Sequence, residues 1–289
     1  MNKGYIYIWI DPAQGENILK IGKTGIKPKR KEEAHTPSGE PYIAYDSEVS
    51  DCDKAESLVH NRLRKYRHGK EKDIFKLSPD KAVAEVKDVA ENLEKIEYYK
   101  KALTLEPNNA SFYNNLGCSY DKLGNHAEAI EVCKRAIQLD PDNAVFHNNL
   151  GCNYGKLRLY RKAIEAFKDS LRSDPSFIKS YFDLGFSYSQ LGLYKEAVDA
   201  FKTALKLVPR AAQIHYNIAY AYSKLGRHQE SIEALINAIR INPDYATARY
   251  SLGVKYLSMG NKDGATEQYS LMKKTDPVRA KKLFSMIEK

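Results

Sequence analysis

The sequence predicts an α+β N-terminal domain, with a small mixed or antiparallel sheet and flanking helices, followed by an all-α repeat solenoid. Three observations carry that prediction. Residues 3–10 alternate strictly, with Tyr5, Tyr7 and Trp9 on one face and Ile6, Ile8 and Ile10 on the other, the period-two pattern of a strand. Two further short apolar runs follow at strand length. From Ala110 onward the chain repeats itself, and the same residue types recur at a fixed spacing.

The elements follow in order. The run from Asp11 to Asn17 contains Pro12 and Gly15 and reads as a turn, and Ile18 to Thr24 returns as a second strand. Pro28 suits the first turn of a short helix through His35, which Pro37, Gly39 and Pro41 end. Tyr42 to Val49 is a third strand. Asp51 or Asp53 caps a helix reaching about Lys65, and Asp73 to Leu77 is a short strand. Ser78-Pro79-Asp80 opens a new helix, with the cap at Ser78 and proline in the first turn. No glycine or proline occurs between Pro79 and Pro107, so one helix of up to ~40 Å joins the two halves in a fixed relation.

In the repeats, Gly117, Gly151, Gly185 and Gly253 keep one register, with Ala219 in the fourth unit. Tyr120, Tyr154, Tyr188, Tyr222 and Tyr256 keep another, and Pro141, Pro175, Pro209, Pro243 and Pro277 close the units. Ala129, Ala163, Ala197 and Ala265 take the close-packed place in each second helix, with Ser231 once. This pattern resembles the tetratricopeptide repeat. The expected layout is a domain over residues 1–90, a connecting helix and half-repeat over 79–109, five repeats over 110–277 and a capping helix over 278–289. In such arrays the first helix of each pair lines a concave groove. Asn115, Asn149, Asp183, Asn217 and Ser251 share one groove position, and an asparagine amide can pair with any peptide backbone. Phe182, Phe186, Tyr216, Tyr220 and Tyr250 supply an apolar floor. The resemblance implies a protein or extended peptide as partner. The plainer role for the asparagines is helix–helix packing.

The net charge of +9 lies in the repeats, because residues 1–98 hold as many acids as bases. Within the first part the bases still cluster, at Lys20 to Lys31 and at Arg62 to Lys72, as a phosphate backbone requires. No apolar run approaches the ~20 residues of a membrane helix, and the first residues are not those of a signal peptide. Cys52, Cys118, Cys133 and Cys152 lack CxxC spacing. That argues for a reduced, cytoplasmic protein without a disulfide or zinc framework.

The first domain collects chemistry-bearing residues in order: Tyr5-Ile6-Tyr7, Lys20-Ile21-Gly22, Arg30, Glu56 and His60. A proton acceptor, phosphate-binding cations and a hard metal ligand are the parts needed to cut a phosphodiester. The order resembles the GIY-YIG nuclease superfamily, in the branch of the phage T5 Orf172 DNA-binding domain and Mug113-type proteins, over about residues 3–90. The resemblance implies that Tyr7 belongs to the first half-motif and orients or deprotonates the attacking water. It places Lys20 where most members carry a second tyrosine, a departure that sets a cation at that point. It gives Arg30 the transition-state phosphate and Glu56 a magnesium or manganese ion. His60 and Arg64 follow Glu56 at steps of four on one helix face. Tyr5 and His35 are further catalytic candidates, His35 standing one place from the family's histidine. Lys23, Lys27, Lys29, Lys31, Arg64 and Arg67 are the expected DNA contacts.

Each of these residues also has a plainer role. Tyr5, Tyr7 and Trp9 suit a packed sheet face, and Glu56 with His60 suits an exposed helical pair. The expectation is a metal-dependent DNA endonuclease targeted or regulated through the repeat groove. The alternatives are a DNA-binding adaptor without catalysis and a pure protein-interaction scaffold.

Overall fold

The computed structural model describes residues 3–10, 18–28, 42–69 and 72–288. The chain divides into two compact units, Met1–Asp140 and Pro141–Lys289. In the first, β1 (Gly4–Ile10), β2 (Ile18–Thr24), β3 (Tyr42–Val49) and β4 (Ile74–Lys76) form one sheet of order β3-β1-β2-β4. Every neighbouring pair is antiparallel. β2 and β3 keep their expected bounds, whereas β4 covers only the middle of the Asp73–Leu77 run. The turn expected at 11–17 and the helix expected over 29–35 lie outside the described residues.

Asp51, not Asp53, caps α1 (Cys52–Arg62), because its carboxylate accepts from the Lys54 amide at 3.0 Å. The helix stops short of Lys65. Buried Leu63 turns into the core there, and a 3-10 turn at Arg64–Tyr66 follows. α2 runs unbroken from Pro79 to Leu105, with Ser78 at the N-cap position but making no side-chain cap bond. At 1.5 Å per residue its 27 residues span about 40 Å.

The alternation in β1 does what it predicts. Ile6 and Ile8 are fully buried, while Tyr5, Tyr7 and Trp9 are half-exposed on the opposite face. Ile6, Ile8, Leu19, Ile21 and Val49 share a core with Ala55 and Val59 of α1 and Ala82, Val86 and Val89 of α2. That core continues without a break along α2, through Leu93 and Ile96, to Leu116, Tyr120 and Ala129 of the first repeat, α3 (Ala110–Lys122) and α4 (His126–Leu139). Truncating one of these fully buried isoleucines to alanine costs about 2–5 kcal/mol. Arg62 adds a polar tie. Its guanidinium donates to Asp88 Oδ2 at 2.7 Å, to Glu85 Oε2 at 3.3 Å and to the Lys122 carbonyl at the end of α3.

The second unit holds four helix pairs and a last helix: α5 (Ala144–Lys156) with α6 (Tyr160–Ser173), α7 (Ile178–Gln190) with α8 (Tyr194–Leu207), α9 (Ala212–Lys224) with α10 (His228–Ile241), α11 (Ala246–Ser258) with α12 (Lys262–Met272), and α13 (Pro277–Ile287). The register glycines are there for close approach. A Cβ at Gly151 would come within 2.5 Å of the Phe167 ring, and one at Gly185 within 2.7 Å of Phe201. The turn between paired helices needs a left-handed residue, supplied by Gly124, Gly192, Gly226 and Gly260; Arg158 adopts the same conformation at φ 60° in the second repeat. No described helix is long and apolar enough to cross a membrane.

Candidate functional site

The β1–β2 register sets Tyr7 opposite Gly22 and Trp9 opposite Lys20. The Tyr7 ring lies across Gly22, where an added Cβ would stand 2.6 Å from the phenolic oxygen. On the same side of β3, opposite Tyr7, sits Asp46, a carboxylate only 8% exposed. Tyr5 donates to Glu48 Oε2 at 3.5 Å, and Lys3 holds the same carboxylate at 2.7 Å. Lys20 Nζ lies 2.9 Å from Asp73 Oδ2. Burial pushes the Asp73 carboxyl up, but the hydrogen bond and charge of Lys20, its own backbone and nearby His60 outweigh that and hold it below the usual range.

β2 alternates. Leu19 and Ile21 face the core, Lys20 and Gly22 face away, and Lys23 returns to the core side at the strand's end. There it meets the first turns of α1, with Nζ 2.7 Å from Asp53 Oδ1 and 2.9 Å from Glu56 Oε2. Hydrogen bonds first to Asp53 and then to Glu56 raise the Lys23 ammonium above its ordinary value. His60 is not part of an exposed pair with Glu56. Its Nε2 lies 2.9 Å from the Ile21 carbonyl oxygen, and its ring packs 5.2 Å from that of Phe75.

The structure therefore brings Glu56, Lys23 and Asp53 together on the helix side of the sheet. Tyr7 and Lys20 stand on the other side. Arg30, His35, Lys29 and Lys31 lie outside the described residues. Lys27, Arg64 and Arg67 are exposed. Beside the two arginines, the Tyr66 hydroxyl accepts from Lys81 at 2.5 Å while Lys65 and Lys81 approach its ring. Among the described residues, no three His, Cys, Asp or Glu side chains are placed to hold one metal ion. Asp53 and Asp73 were missed by sequence reasoning. The i,i+3 spacing of Asp53 and Glu56 was the available signal for the first; Asp73 carried none.

The groove residues divide by unit. In the first, Asn115 lines a hollow of about 200 Å³ with Asn92, Lys95, Tyr99 and Lys122. In the second, Asp183 Oδ2 accepts from Asn148 at 3.3 Å and from the Cys152 thiol at 3.5 Å, so it ties α7 to α5. Burial, with the Asp183 charge, pushes that thiol up to about 12. Asn149 is half-buried, and Asn217 accepts from Gln213 at 3.3 Å. Phe182 packs 6.0 Å from Phe201, while Phe186 is 47% exposed. Tyr216, Tyr220 and Tyr250 converge on one pocket of about 510 Å³ between α9, α10 and α11.

Comparison with known proteins agrees with this architecture. Residues 4–94 match the T5orf172 domain. Tetratricopeptide repeat models match residues 110–143, 144–177, 182–246 and 216–280. A crystal structure of MamA is 27% identical with a TM-score of 0.54, over 57% of this chain and 97% of that one. MamA from Desulfovibrio magneticus RS-1 is 20% identical with a TM-score of 0.54, over 57% and 93%. YrrB, described as a TPR protein with an unusual peptide-binding site, is 20% identical with a TM-score of 0.56, over 66% and 99%. The last two likenesses concern the fold alone. No curated protein matches the chain.

Proposed function

From a T5orf172 domain over residues 4–94 joined to a tetratricopeptide array over residues 110–280, we propose a metal-dependent DNA endonuclease, targeted or regulated by a protein partner of the repeats. The observation that carries this reading is the convergence of Glu56 and Asp53 on a single cation, the Lys23 ammonium, at the end of β2. Two hard carboxylate oxygens one helical turn apart suit magnesium or manganese, which complete their shells with water and phosphate. Glu56 and Asp53 would hold such an ion in place of Lys23, and it would supply charge neutralisation at the scissile phosphate. Lys23 brings further positive charge to the phosphate, and Arg30 offers its planar fork. Tyr7, fixed over Gly22, stands with Lys20 on the other side of the sheet and does not reach this ion or its water.

The test is cleavage of single- and double-stranded DNA with magnesium or manganese, comparing wild type with Glu56→Ala and Arg30→Ala. Losing one charge stabiliser removes about 3 kcal/mol of barrier lowering, or two orders of magnitude in rate. Cleavage lost in both variants supports the endonuclease. Absence of cleavage by the wild type, with DNA still bound, replaces it by a second reading, a DNA-binding adaptor. The pairing of Lys20 with Asp73, at the place of the family's second tyrosine, favours that second reading.

A further inference from the structure

The repeats are nearly alike, and the fourth, which holds the pocket of about 510 Å³, departs from its neighbours at three packed positions. The second and third repeats fill the space between their helices with Phe167 over Gly151 and Phe201 over Gly185. The fourth carries Leu235 in the place of those rings, Ala219 in the place of the glycines and Ser231 in the place of the alanines Ala163 and Ala197. Leu235, Ala219 and Ser231 all line the 510 Å³ pocket. The Ser231 hydroxyl donates to the Ala219 carbonyl at 2.8 Å, so its polarity is satisfied inside the repeat. A smaller ring-position residue has exchanged packing for space.

The chemistry around that space is one-sided. Tyr216, Tyr220 and Tyr250 form its aromatic walls, and none of its lining residues is acidic. Lys255 reaches in from α11, its Nζ 2.9 Å from Nδ1 of His228, a neighbour that brings no compensating negative charge. Burial alone pushes the Lys255 ammonium below its ordinary value. Two of the tyrosines also carry cations: Lys224 stands 5.5 Å over the Tyr220 ring and Lys282 5.7 Å over that of Tyr250. Aromatic walls with a few convergent polar groups, at this volume, are the usual makings of a ligand pocket.

We infer that the pocket between α9, α10 and α11 receives an acidic side chain of an extended peptide segment of the partner protein, with Lys255 binding the carboxylate and the tyrosines covering a neighbouring apolar residue. This rests on the reading of the repeats as a partner-binding array and names the chemistry of the partner. Charge complementarity selects the occupant: Lys255 enters a cavity lined by no carboxylate, and Lys224 and Lys282 add positive charge beside two of its tyrosines.

The test is fluorescence anisotropy of the full chain with a short fluorescein-labelled peptide alternating Glu and Leu, and with its twin carrying Gln for Glu. Three variants accompany wild type: Lys255→Met; the double change Ala219→Gly/Leu235→Phe, which introduces the ring-over-glycine packing of the second and third repeats; and Asn149→Ala/Asn217→Ala in the groove. The expected result is binding of the Glu peptide, at least about tenfold weaker binding of the Gln twin, and a similar loss in both pocket variants. Lys255→Met reads the same contact if the double variant fails to fold by circular dichroism. Equal binding of the twins, or pocket variants that bind like wild type, overturns the inference. If that binding is nevertheless lost in Asn149→Ala/Asn217→Ala, the array reading stands without the pocket. No binding of either peptide overturns both.

Discussion

Tyr7 and Gly22 occupy one space between them: the tyrosine ring of β1 lies where any side chain at position 22 would have to go. Strand pairing alone does not require this. It follows from the register, which makes the two residues direct cross-strand neighbours, and from the lack of a Cβ that lets the ring lie flat. Gly22→Ala should therefore displace Tyr7, costing about 1–3 kcal/mol of stability as an overpacked site. Gly25→Ala, where nothing lies within 4 Å of an added Cβ, is the control. Thermal melts of the two variants check the prediction.

Arg158 takes a backbone conformation that glycine takes in every other repeat. A side chain in the left-handed region costs about 1–2 kcal/mol, partly offset in Arg158→Gly by the freer unfolded chain. The variant should gain about 1 kcal/mol in urea unfolding. An unchanged midpoint would mean that the arginine side chain compensates through its own contacts.

Lys23 competes with any cation for Glu56 and Asp53. Removing it in Lys23→Met should tighten magnesium binding several-fold by titration calorimetry. Glu56→Gln should weaken binding by a similar factor. Tighter binding together with weaker DNA affinity would separate the two roles assigned to the ammonium, since a lost phosphate contact also lowers the salt dependence of DNA binding.

Lys255 makes a prediction of opposite signs. Its folded pKa lies below the ordinary lysine value of 10.5, so the folded chain bears a cost for the charged form that the unfolded chain does not. That cost is fully present below the folded pKa and fades as pH rises through the folded value towards the unfolded one. Lys255→Met should therefore melt higher than wild type at neutral pH, with the advantage shrinking in alkaline buffer. It should also bind the acidic peptide worse. A purely structural lysine would not gain stability and lose affinity together.

Much of the fold was open to reading because its signals are local. Period-two alternation gave β1, strand-length runs bounded by turn residues gave β2 and β3, and the recurring glycine, tyrosine and proline gave the helix pairs. The end of α1 was less legible, since it depends on Leu63 meeting a core built from distant strands. The candidate site was legible in membership and not in arrangement. Tyr7, Lys20 and Glu56 stand out by type and order, but which side of the sheet each one serves is set by strand parity and by where α1 packs. His60 shows the limit: helical spacing pairs it with Glu56, whereas the fold turns it to the Ile21 carbonyl and Phe75. Lys255 and His228 lie too far apart in sequence to suggest a pair. Only the run of substitutions at Ala219, Ser231 and Leu235 hinted that the fourth repeat differs.

The unbroken core along α2 bears on how such a protein can be reshuffled. Side chains of the sheet, of α2 and of the first helix pair are buried against one another, and Arg62 reaches from α1 to the last turn of α3. A graft that carried only residues 1–90 to a new carrier would strip the apolar flank from α2 and arrive with an open wound. The smallest cassette that travels intact ends at Asp140. Any recombination that moves the N-terminal domain must also move its first repeat, so the domain comes with one coupling already chosen.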